Sequence, residues 1–367
     1  MFLYLFYLFI IVIIIQLVYY LGVFSKFCFA KPAVKNSKNP PISVIVCAKN
    51  EQENIKKYIP ILAQQEYPDF ELVLIDDASS DETLAVFEDF EKQYDNIRLV
   101  KVQNNEAFWG NKKYALTLGI KAAKHEHLLF TDANCFPSSN DWIASMAAHF
   151  DSDKKIVLGY AGRTKANNSF FNKLVRFETV VTAVQYFLWA KIGKPYMGIG
   201  RNLAYKRDVF FNANGFVEHI KMHTGDDNLF INQAATAENT TIAYLPESFT
   251  YSESKKTFEE WLKQKRIHAT TIPYYKLIDR IQLGVFFGSQ LLFLLLAIVL
   301  LASQFKLIVM GFIVFRYTFT WIIFGLGAKK LKEKDVIFYY PILEIWLTFI
   351  QITIFVANIF SKPTHWR

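Results

Sequence analysis

The sequence contains little cysteine and lacks the glycine-rich motifs of common nucleotide-binding proteins. Three cysteines, Cys28, Cys47 and Cys135, occur among 367 residues, and their spacing fits neither a disulfide framework nor a cysteine-based metal site. They are typical of small buried side chains in a reducing compartment. No P-loop and no G-x-G-x-x-G motif follows the first predicted strand, which excludes the usual fingerprints of ATP and NAD binding.

The sequence also lacks a nucleic-acid-binding motif, although its net charge is +8. Its lysines cluster beside long apolar segments instead, most densely at Lys329, Lys330, Lys332 and Lys334. Anionic lipid headgroups attract such clusters. The positive charge therefore indicates contact with a membrane surface, and we expect a lipid bilayer rather than nucleic acid as a partner.

Long apolar segments lie at both ends of the chain. Residues Phe2 to Phe24 carry no charge and are long enough to cross a bilayer. Because no basic region precedes this segment and no small-residue cleavage site follows it, the pattern predicts a transmembrane anchor over residues 1–25 rather than a signal peptide. Further apolar runs predict three C-terminal transmembrane segments within residues 283–360.

The distribution of lysine predicts which side of the membrane each region occupies. Cytoplasmic flanks of membrane segments carry an excess of lysine and arginine, so we expect the middle region in the cytoplasm and the N-terminus outside. With four crossings, Lys362 and Arg367 would lie outside as well. A C-terminal segment that is re-entrant or lies flat is therefore an alternative topology. The basic flank of the first segment consists of Lys26, Lys31, Lys35 and Lys38.

Two charged residues interrupt the apolar segments. Arg316 lies within the third segment and Glu344 within the fourth. A charge inside a membrane is costly and is usually paired or functional. Counting along the helices places the two residues at similar depth, so we predict that they form a pair or that Arg316 binds a lipid phosphate. The alternative is that the segment boundaries are misjudged and Arg316 reaches the membrane surface.

The middle of the chain alternates short apolar runs with polar amphipathic stretches. β-Branched runs predict strands at 42–47, 71–76, 97–102 and 127–132, with helices between them, the first of which is capped by Asn50. This order predicts a parallel, doubly wound α/β sheet. Ligands bind such sheets at the carboxyl ends of the strands, which is where the sequence places its polar clusters.

Five segments of this region carry a resemblance to a known family. They are VIVCAKNEQENI, LVLIDDASSDET, NKKYAL, LLFTDAN and GDDNLF, in this order between Pro41 and His268. Together they resemble the family-2 inverting glycosyltransferases of the GT-A fold; each segment alone is a weak signal, but their order at strand ends is specific. The resemblance implies a catalytic α/β domain over residues 40–255, a Rossmann-like doubly wound mixed sheet, with transmembrane helices at both ends of the chain.

The resemblance implies a set of donor-binding residues at the strand ends. Near the donor diphosphate it places Lys112 and the D-x-D position, Asp132 and Asn134, which would hold Mg²⁺ or Mn²⁺. The last residue of that motif is asparagine here, whose amide oxygen can ligate a hard cation but brings no charge. A helix cap at Asp77 and a solvated helix lysine at Lys112 are the alternative interpretations. Around the base and the ribose the resemblance places Ala48, Asn50, Glu51, Asp76 and Asp77.

The GDDN segment resembles the acidic motif that supplies the general base of this family. An inverting transfer needs one carboxylate near the acceptor hydroxyl, and the resemblance implies Asp227, with Asp226 as the alternative. Adjacent carboxylates repel each other, so we expect one of the two to have a raised pKa. A simple helix cap is the other interpretation of this segment. The resemblance also implies acceptor binding by Gly200 and Asn202.

The segment from Lys263 to His268 corresponds to the Q-x-x-R-W motif of processive family members, without its tryptophan. The resemblance implies that Arg266 and His268 contact the donor diphosphate. Because the tryptophan stacks under the acceptor sugar in processive members, its absence argues against extrusion of a long polymer. A basic amphipathic helix at the membrane surface, within residues 256–282, is a compatible interpretation.

These features predict a membrane-bound inverting hexosyltransferase. We expect it to move a sugar from a nucleotide-sugar donor, a UDP-sugar by family expectation, to a lipid-linked or glycan acceptor at the cytoplasmic face of a bacterial inner membrane, without processive elongation. A guanine or thymine donor stays open, as do the sugar and the acceptor. A processive polysaccharide synthase is the alternative within the enzyme class, and an inactive nucleotide-sugar-binding scaffold is the alternative outside it.

Overall fold

The structure, a computed structural model, describes residues 1–30, 39–103, 112–222, 224–361 and 363. The basic positions Lys31, Lys35, Lys38, Lys362 and Arg367 lie outside the described residues. The strands are β1 (Ile42–Ala48), β2 (Phe70–Asp76), β3 (Ile97–Lys101), β4 (His127–Asp132), β5 (Cys135–Pro137), β6 (Ile156–Gly159), β7 (Ala161–Arg163), β8 (Leu203–Lys206), β9 (Thr240–Ala243) and β10 (Thr250–Ser252). The helices are α1 (Phe2–Val18), α2 (Ser25–Cys28), α3 (Gln52–Ala63), α4 (Thr83–Gln93), α5 (Lys112–Ala122), α6 (Trp142–Ala147), α7 (Phe170–Lys191), α8 (Arg207–Asn212), α9 (Asn228–Ala234), α10 (Phe258–Ala269), α11 (Leu277–Leu301), α12 (Lys306–Lys330), α13 (Lys334–Ile337) and α14 (Tyr340–Phe360). A π-helical turn, Tyr19–Phe24, joins α1 to α2.

A mixed sheet organises the middle of the chain. Its strand order is β3-β2-β1-β4-β8-β6-β9, and β8 is antiparallel to both of its neighbours. The four predicted strands form the parallel half, because runs of valine, isoleucine and leucine suit strands that are buried on both faces. A smaller sheet has the order β5-β10-β7. The predicted α/β fold class, with a doubly wound mixed sheet, is confirmed.

The register of the parallel half brings three strand ends together. β1 pairs Ala48 with Asp76 of β2 and Cys47 with Asp132 of β4. Because parallel strands end at the same edge of a sheet, the polar residues that follow β1, β2 and β4 meet there. This edge carries the candidate site.

Side chains from the two faces of the sheet enter separate cores. Val44 and Val46 pack on one face against α3 and α6. Ile45, on the other face, belongs to a core that extends through α7 to the apolar helices at both ends of the chain. In that core the Phe177 ring lies 5.0 Å from the Phe324 ring of α12. Since burying a side chain of this size contributes about 1.5–3 kcal/mol, the sheet domain and the apolar helices stabilise each other.

Four helical segments of the described chain are long and apolar enough to cross a membrane: Phe2–Cys28, Leu277–Leu301, Lys306–Lys330 and Tyr340–Phe360. Lys330 Nζ, at the end of α12, donates to the carbonyls of Phe27 at 3.0 Å and Ala30 at 2.5 Å. Tyr244, which follows β9, donates to the same Ala30 carbonyl at 3.1 Å. The basic ends of the first and third segments therefore lie on the side of the sheet domain.

A buried ion pair ties the apolar helices to one another. Arg316 Nη1 and Nη2 both donate to the Glu344 carboxylate, Nη2 at 2.8 Å, and Arg316 Nε donates to Gln16 Oε1 at 2.7 Å. Tyr340 Oη donates to Glu344 Oε1 at 2.7 Å, and Gln16 Nε2 donates to the Ser289 carbonyl at 2.9 Å. The predicted pair is confirmed, and the surrounding hydrogen bonds supply the partners that buried charges need.

A second ion-pair network joins α7 to the segment that follows α12. Arg176 Nε donates to Glu333 Oε2 at 2.9 Å, and Arg176 Nη1 donates to Asp335 Oδ2 at 2.6 Å. Lys165 adds a contact of 3.1 Å with Asp335. Because Arg176 and Glu333 are both buried, this network fixes the end of α12 to the sheet domain.

Helix α14 contacts helices of the sheet domain at both of its ends. The Lys173 ammonium of α7 lies 5.0 Å from the ring centroid of Tyr339, which precedes α14. At the other end, Arg266 Nε of α10 donates to Asn358 Oδ1 at 3.0 Å, and Asn358 Nδ2 donates to the Arg266 carbonyl at 2.9 Å. Helices α7 and α10 pack against each other. The start of α14 thus contacts α7 and its end contacts α10, so both ends lie against the sheet domain. The alternative topology, in which α14 lies along the membrane, requires this arrangement.

Replacing Arg316 with leucine removes one partner of the buried pair and leaves the Glu344 carboxylate without its counter-charge. We expect the folded protein to lose about 3–5 kcal/mol, measured as a lower midpoint of thermal unfolding in detergent. The double variant with Glu344→Leu should recover part of the loss, because no charge then stays buried. The exposed Arg280→Leu is the matched control. An Arg316→Leu protein as stable as the wild type would contradict the structural role of the pair.

If α14 lies along the membrane, Ser361 is on the side of the sheet domain. We expect Ser361→Cys, in a background without the native cysteines, to react with an impermeant maleimide from that side. Lys57→Cys, on the exposed surface of the sheet domain, and Gln304→Cys, between α11 and α12, report the two sides. Reaction of Ser361→Cys together with Gln304→Cys would show instead that α14 crosses the membrane.

Candidate active site

One cleft at the carboxyl edge of the sheet collects charged residues from separate segments. Lys112 begins α5, Asp132 ends β4, and Asp226 and Asp227 precede α9; together with Gly200 they line the same cleft. These segments meet because β1, β4 and β8 are neighbours in the sheet. The structure therefore places five of the predicted site residues around one space.

The ammonium of Lys112 lies between two carboxylates. Its Nζ is 2.8 Å from Asp132 Oδ1 and 3.4 Å from Asp226 Oδ2. Burial disfavours the charged form of Lys112, but the two carboxylates outweigh burial and hold its pKa well above the usual value. Burial likewise opposes ionisation of Asp132, yet the Lys112 charge holds the pKa of that carboxyl below its usual value. Lys112 is thus a charged member of the cleft and not a solvated helix lysine.

Asp227 is held by backbone N–H groups from two sides. Its Oδ2 accepts from Gly200 N at 2.8 Å, and its Oδ1 accepts from Asn228 N at 2.6 Å, which caps α9. Burial, together with the neighbouring Asp226 charge, raises the pKa of Asp227 to about 6, although both N–H groups oppose the shift. The raised pKa expected for the acidic pair falls on Asp227. Cap and base are compatible roles, because each carboxylate oxygen has a second lone pair.

Lys113, which the sequence did not single out, fixes the loop before the acidic pair. Its Nζ donates to the carbonyls of His219 at 2.8 Å, Met222 at 2.7 Å and Thr224 at 2.7 Å. Burial lowers the pKa of Lys113 to about 8. Gly225 follows with a φ of +98°, which glycine adopts at little cost. The one sequence signal for this role is the second lysine of NKKYAL. No spacing rule distinguishes this lysine from a solvent-exposed one.

At the end of β2 lie two predicted base- and ribose-binding residues. Asp76 is buried; its Oδ2 accepts from Ser79 N at 3.3 Å, whereas its buried Oδ1 has no hydrogen-bond partner among the described residues. Burial raises the pKa of Asp77, which lies 4.0 Å from Lys49. Because α4 begins only at Thr83, the interpretation of Asp77 as a helix cap is wrong. A buried acceptor without a protein partner fits a ligand hydroxyl or N–H.

The loop after β1 faces the loop after β2. Asn50 has a φ of +56° and its Oδ1 accepts from Ser80 N at 2.8 Å, so it joins the two loops. The predicted cap at Asn50 is wrong, since the N-cap position of α3 is Glu51. The Ala48 carbonyl accepts from Asp77 N at 2.9 Å, and burial raises the pKa of Glu51. The predicted base-binding residues therefore lie beside Asp76 and Asp77.

The structure corrects the expected role of Asn202. This residue is fully buried. Its Nδ2 donates to the carbonyls of Tyr160 and Ser248, both at 2.7 Å, and its Oδ1 accepts from Trp142 Nε1 at 3.1 Å. With these groups bound inside the protein, the side chain supports the turn that carries Gly200 and offers an acceptor no open hydrogen-bonding face.

The structure also corrects the expected role of Arg266. Its guanidinium donates to Asn358 and to the Ser361 carbonyl at the end of α14, because α10 turns this residue toward α14. Burial, together with the Lys265 and Arg201 charges, lowers the pKa of His268 to about 4, although Glu178 and Asp226 oppose the shift. Its contact with a donor stays a prediction, as does metal binding by Asn134, whose Oδ1 accepts from Cys135 Sγ at 3.4 Å.

Models of two protein families match the chain. The model described as Glycosyl transferase family 2 matches residues 43–213, and the model described as Glycosyl transferase family group 2 matches residues 139–332. The second match covers more than half of the chain. Its range includes the acidic pair, α10 and the first two apolar helices after the sheet domain.

Related proteins include a transferase and a polymer synthase. The chain is 23% identical over 241 residues to the probable glycosyltransferase YdaM of Bacillus subtilis, which is 62% of this chain and 54% of that protein. It is 33% identical over 93 residues to the poly-beta-1,6-N-acetyl-D-glucosamine synthase of Staphylococcus epidermidis, which is 25% of this chain and 21% of that protein. The chain thus spans about half or less of the length of these relatives.

A solved structure resembles the fold of the whole chain. The mannosyltransferase PcManGT from Pyrobaculum calidifontis, in complex with GDP-Man and Mn²⁺, has a TM-score of 0.58 and 16% sequence identity. The likeness covers 90% of this chain and 95% of that protein. At this identity it shows a shared fold, the predicted GT-A fold.

Proposed function

Because the chain belongs to glycosyl transferase family 2, we propose that it is an inverting enzyme that moves a single sugar from a UDP-sugar to a lipid-linked or glycan acceptor at the cytoplasmic face of a membrane. The observation that carries the proposal is the Asp227 carboxylate. Its pKa is raised to about 6, and it shares one cleft with the ionised Lys112 and Asp132. A carboxylate with such a pKa is suited to general base catalysis near neutral pH.

In this proposal Asp227 accepts the proton of the acceptor hydroxyl. The acceptor oxygen forms a bond to the anomeric carbon of the donor while the bond from that carbon to the phosphate oxygen breaks, and the nucleoside diphosphate leaves with the electron pair. The Gly200 N–H orients the carboxylate through its bond of 2.8 Å, and Lys113 positions the preceding loop. Such preorganisation lowers the barrier, because these protein groups do not have to rearrange during the reaction.

The base and ribose of the donor are proposed to bind at the ends of β1 and β2. The buried Asp76 Oδ1, which has no hydrogen-bond partner in the described part of the chain, supports a ligand donor at this point. Asp77, Asn50, Glu51 and the Ala48 backbone complete the subsite. Uracil is the base that the family resemblance implies.

A divalent cation, Mg²⁺ or Mn²⁺, is part of the proposal, and the complex of PcManGT contains Mn²⁺. The donor chemistry fits such a cation, because the Lys112 charge favours the ionised form of Asp132 and carboxylate and amide oxygens are the ligands that these metals take. Asp132 and Asn134 would hold the ion, with the remaining ligands from diphosphate and water. No group of three or more histidine, cysteine or acidic residues in the described chain could hold it alone. When bound, the cation offsets the charge of the leaving diphosphate.

The acceptor is proposed to arrive along the membrane surface. The basic ends of the first and third apolar segments lie on the side of the sheet domain, which supports a cytoplasmic site under the positive-inside rule. Helix α10 connects the two regions: the side chain of Asn228, next to Asp227, donates to Thr271 just after α10 at 2.9 Å, while Arg266 binds α14. An acceptor with a lipid anchor could therefore reach the cleft without leaving the bilayer.

A processive polysaccharide synthase is the second candidate, because the Staphylococcus epidermidis relative is named as the synthase of a polymer. Against it, the tryptophan of the processive motif is replaced here by Ile267 or His268, depending on the alignment. The mass of the product distinguishes one addition from many.

The first test is release of UDP by the purified full chain in detergent with UDP-sugars, Mn²⁺ or Mg²⁺ and a membrane lipid extract. We expect release that requires the metal and the lipid, and that falls at least about a hundredfold in Asp227→Asn because the base is lost. The exposed Asp153→Asn is the matched control. Binding of nucleotide-sugar without release from any donor would contradict the proposal and favour the inactive scaffold.

The pH dependence of kcat/KM tests which carboxylate is the base. Asp227 is protonated below its pKa of about 6 and cannot accept a proton, so the rate should rise with pH through about 6. Asp226→Asn removes a repelling charge and should move this limb to lower pH. Asp153→Asn should leave the limb unchanged. Complete loss of activity in Asp226→Asn, with activity retained in Asp227→Asn, would instead make Asp226 the base.

A further inference from the structure

A second group of cationic side chains, which the proposed reaction does not use, lies near Asp132. Ser252 of β10 pairs with both Arg163 and Cys135, three residues after Asp132, and Thr131, the residue before Asp132, donates to the Arg201 carbonyl at 3.1 Å. Arg163 ends β7, Arg201 lies in the turn before β8, and Lys265 lies on α10. Arg163 Nη1 and Arg201 Nη1 both donate to Ser252 Oγ, at 2.9 and 3.0 Å. Two like charges are thus held against one hydroxyl oxygen, which is unfavourable unless an anion joins them.

The carboxylates that face this group neutralise only part of its charge. Lys265 Nζ pairs with Glu178 of α7 at 2.5 Å, and Asp132 is engaged by the ammonium described above. In the described part of the chain, no carboxylate forms an ion pair with Arg163 or Arg201. Burial and the Arg201 charge lower the pKa of Arg163 to about 9, although Glu178 and Asp132 oppose the shift. The group therefore carries an excess of positive charge.

Arg163 also presents an open donor. Its Nη1 is satisfied by Ser252 and by the Glu253 carbonyl at 3.0 Å. Its Nε is buried and has no hydrogen-bond partner among the described residues. Buried donors are nearly always paired, so this nitrogen indicates a ligand oxygen at the same point as the excess charge.

We propose that Arg163, Arg201 and Lys265 form a phosphate-binding subsite beside Asp132, which receives the oxyanion of a phosphorylated substrate. Guanidinium groups match the geometry of phosphate oxygens and keep their charge when buried. The inference rests on the proposed function, in which the oxyanion is either the donor diphosphate or the phosphate of a lipid-linked acceptor. The subsite takes the role that the family resemblance implies for Arg266, and its cations add to the charge that a metal at Asp132 and Asn134 would supply.

Binding of inorganic pyrophosphate and of UDP to the purified full chain tests the subsite without turnover. Titration calorimetry in EDTA removes any contribution of a divalent cation. We expect Arg163→Gln and Arg201→Gln each to bind about ten- to a hundredfold more weakly than the wild type, because a charge-assisted bond is lost. Arg163→Lys keeps the charge and should retain part of the affinity. Arg98→Gln, at an exposed arginine on β3, is the matched control and should bind like the wild type.

The steady-state constants identify the source of the oxyanion. A raised KM for the UDP-sugar in Arg163→Gln and Arg201→Gln assigns the subsite to the donor diphosphate. A raised KM for a polyprenyl-phosphate-linked acceptor alone, with unchanged UDP binding, assigns it to the acceptor. Both results support a phosphate subsite. Variants with wild-type unfolding midpoints, unchanged pyrophosphate and UDP binding and unchanged KM for both substrates would overturn it and leave the arginines as structural residues.

Failure of the subsite and failure of the proposed function give different results. If the wild type transfers sugar but the arginine variants bind and react as the wild type does, the subsite is refuted and the transferase stands. If no donor reacts, yet pyrophosphate binding depends on Arg163 and Arg201, the subsite stands and the proposed reaction is refuted.

Discussion

The position of the Lys112 ammonium between Asp132 and Asp226 is the interaction on which the rest of the cleft depends. Three carboxylates converge on one edge of the sheet, and in a half-buried space their mutual repulsion would drive protonation or separate the strand ends. Lys112 counters two of them. The third, Asp227, is held by backbone N–H groups and keeps a raised pKa. Lys112 and Asp132 therefore stay charged, while Asp227 titrates near neutral pH; different surroundings give closely spaced carboxylates different roles.

Sequence reasoning predicted those parts of the fold that local pattern determines. The first four strands could be found because buried parallel strands are continuous apolar runs, and the acidic residues Asp76 and Asp132 follow directly from their ends. The roles of residues whose hydrogen-bond partners are distant in sequence could not be predicted in this way. Asn50 is a good local helix cap, but its partner Ser80 lies in another loop; Arg266 binds the far end of the chain. Lys113 acts through carbonyl groups, which leave no sequence signal.

Helix α7 connects the chemistry to the membrane. Its Arg176 binds Glu333, just beyond the end of α12. Its apolar residues belong to the core that is shared with the apolar helices. Its Glu178 pairs with Lys265 of α10, beside Arg163 and Arg201. The helix therefore contributes to two groups of charged residues. The ion pair of Arg176 with Glu333 fixes the membrane helices, and the ion pair of Glu178 with Lys265 borders the cleft. Neither the sheet domain nor the membrane helices buries this shared surface without the other, so the two are parts of one folded unit.

Helix α12 is fixed at two points along its length. Arg316 is fixed within the apolar layer by Glu344 and Gln16, and just beyond the end of the same helix Glu333 is fixed to Arg176. A thinner or thicker hydrocarbon layer forces such a helix to tilt, because its length between the two anchors cannot change. Arg176 connects this helix to α7, and Glu178 of α7 pairs with Lys265 beside the cleft. A change in the tilt of α12 would therefore bear first on contacts that border the cleft, with no ligand bound in it.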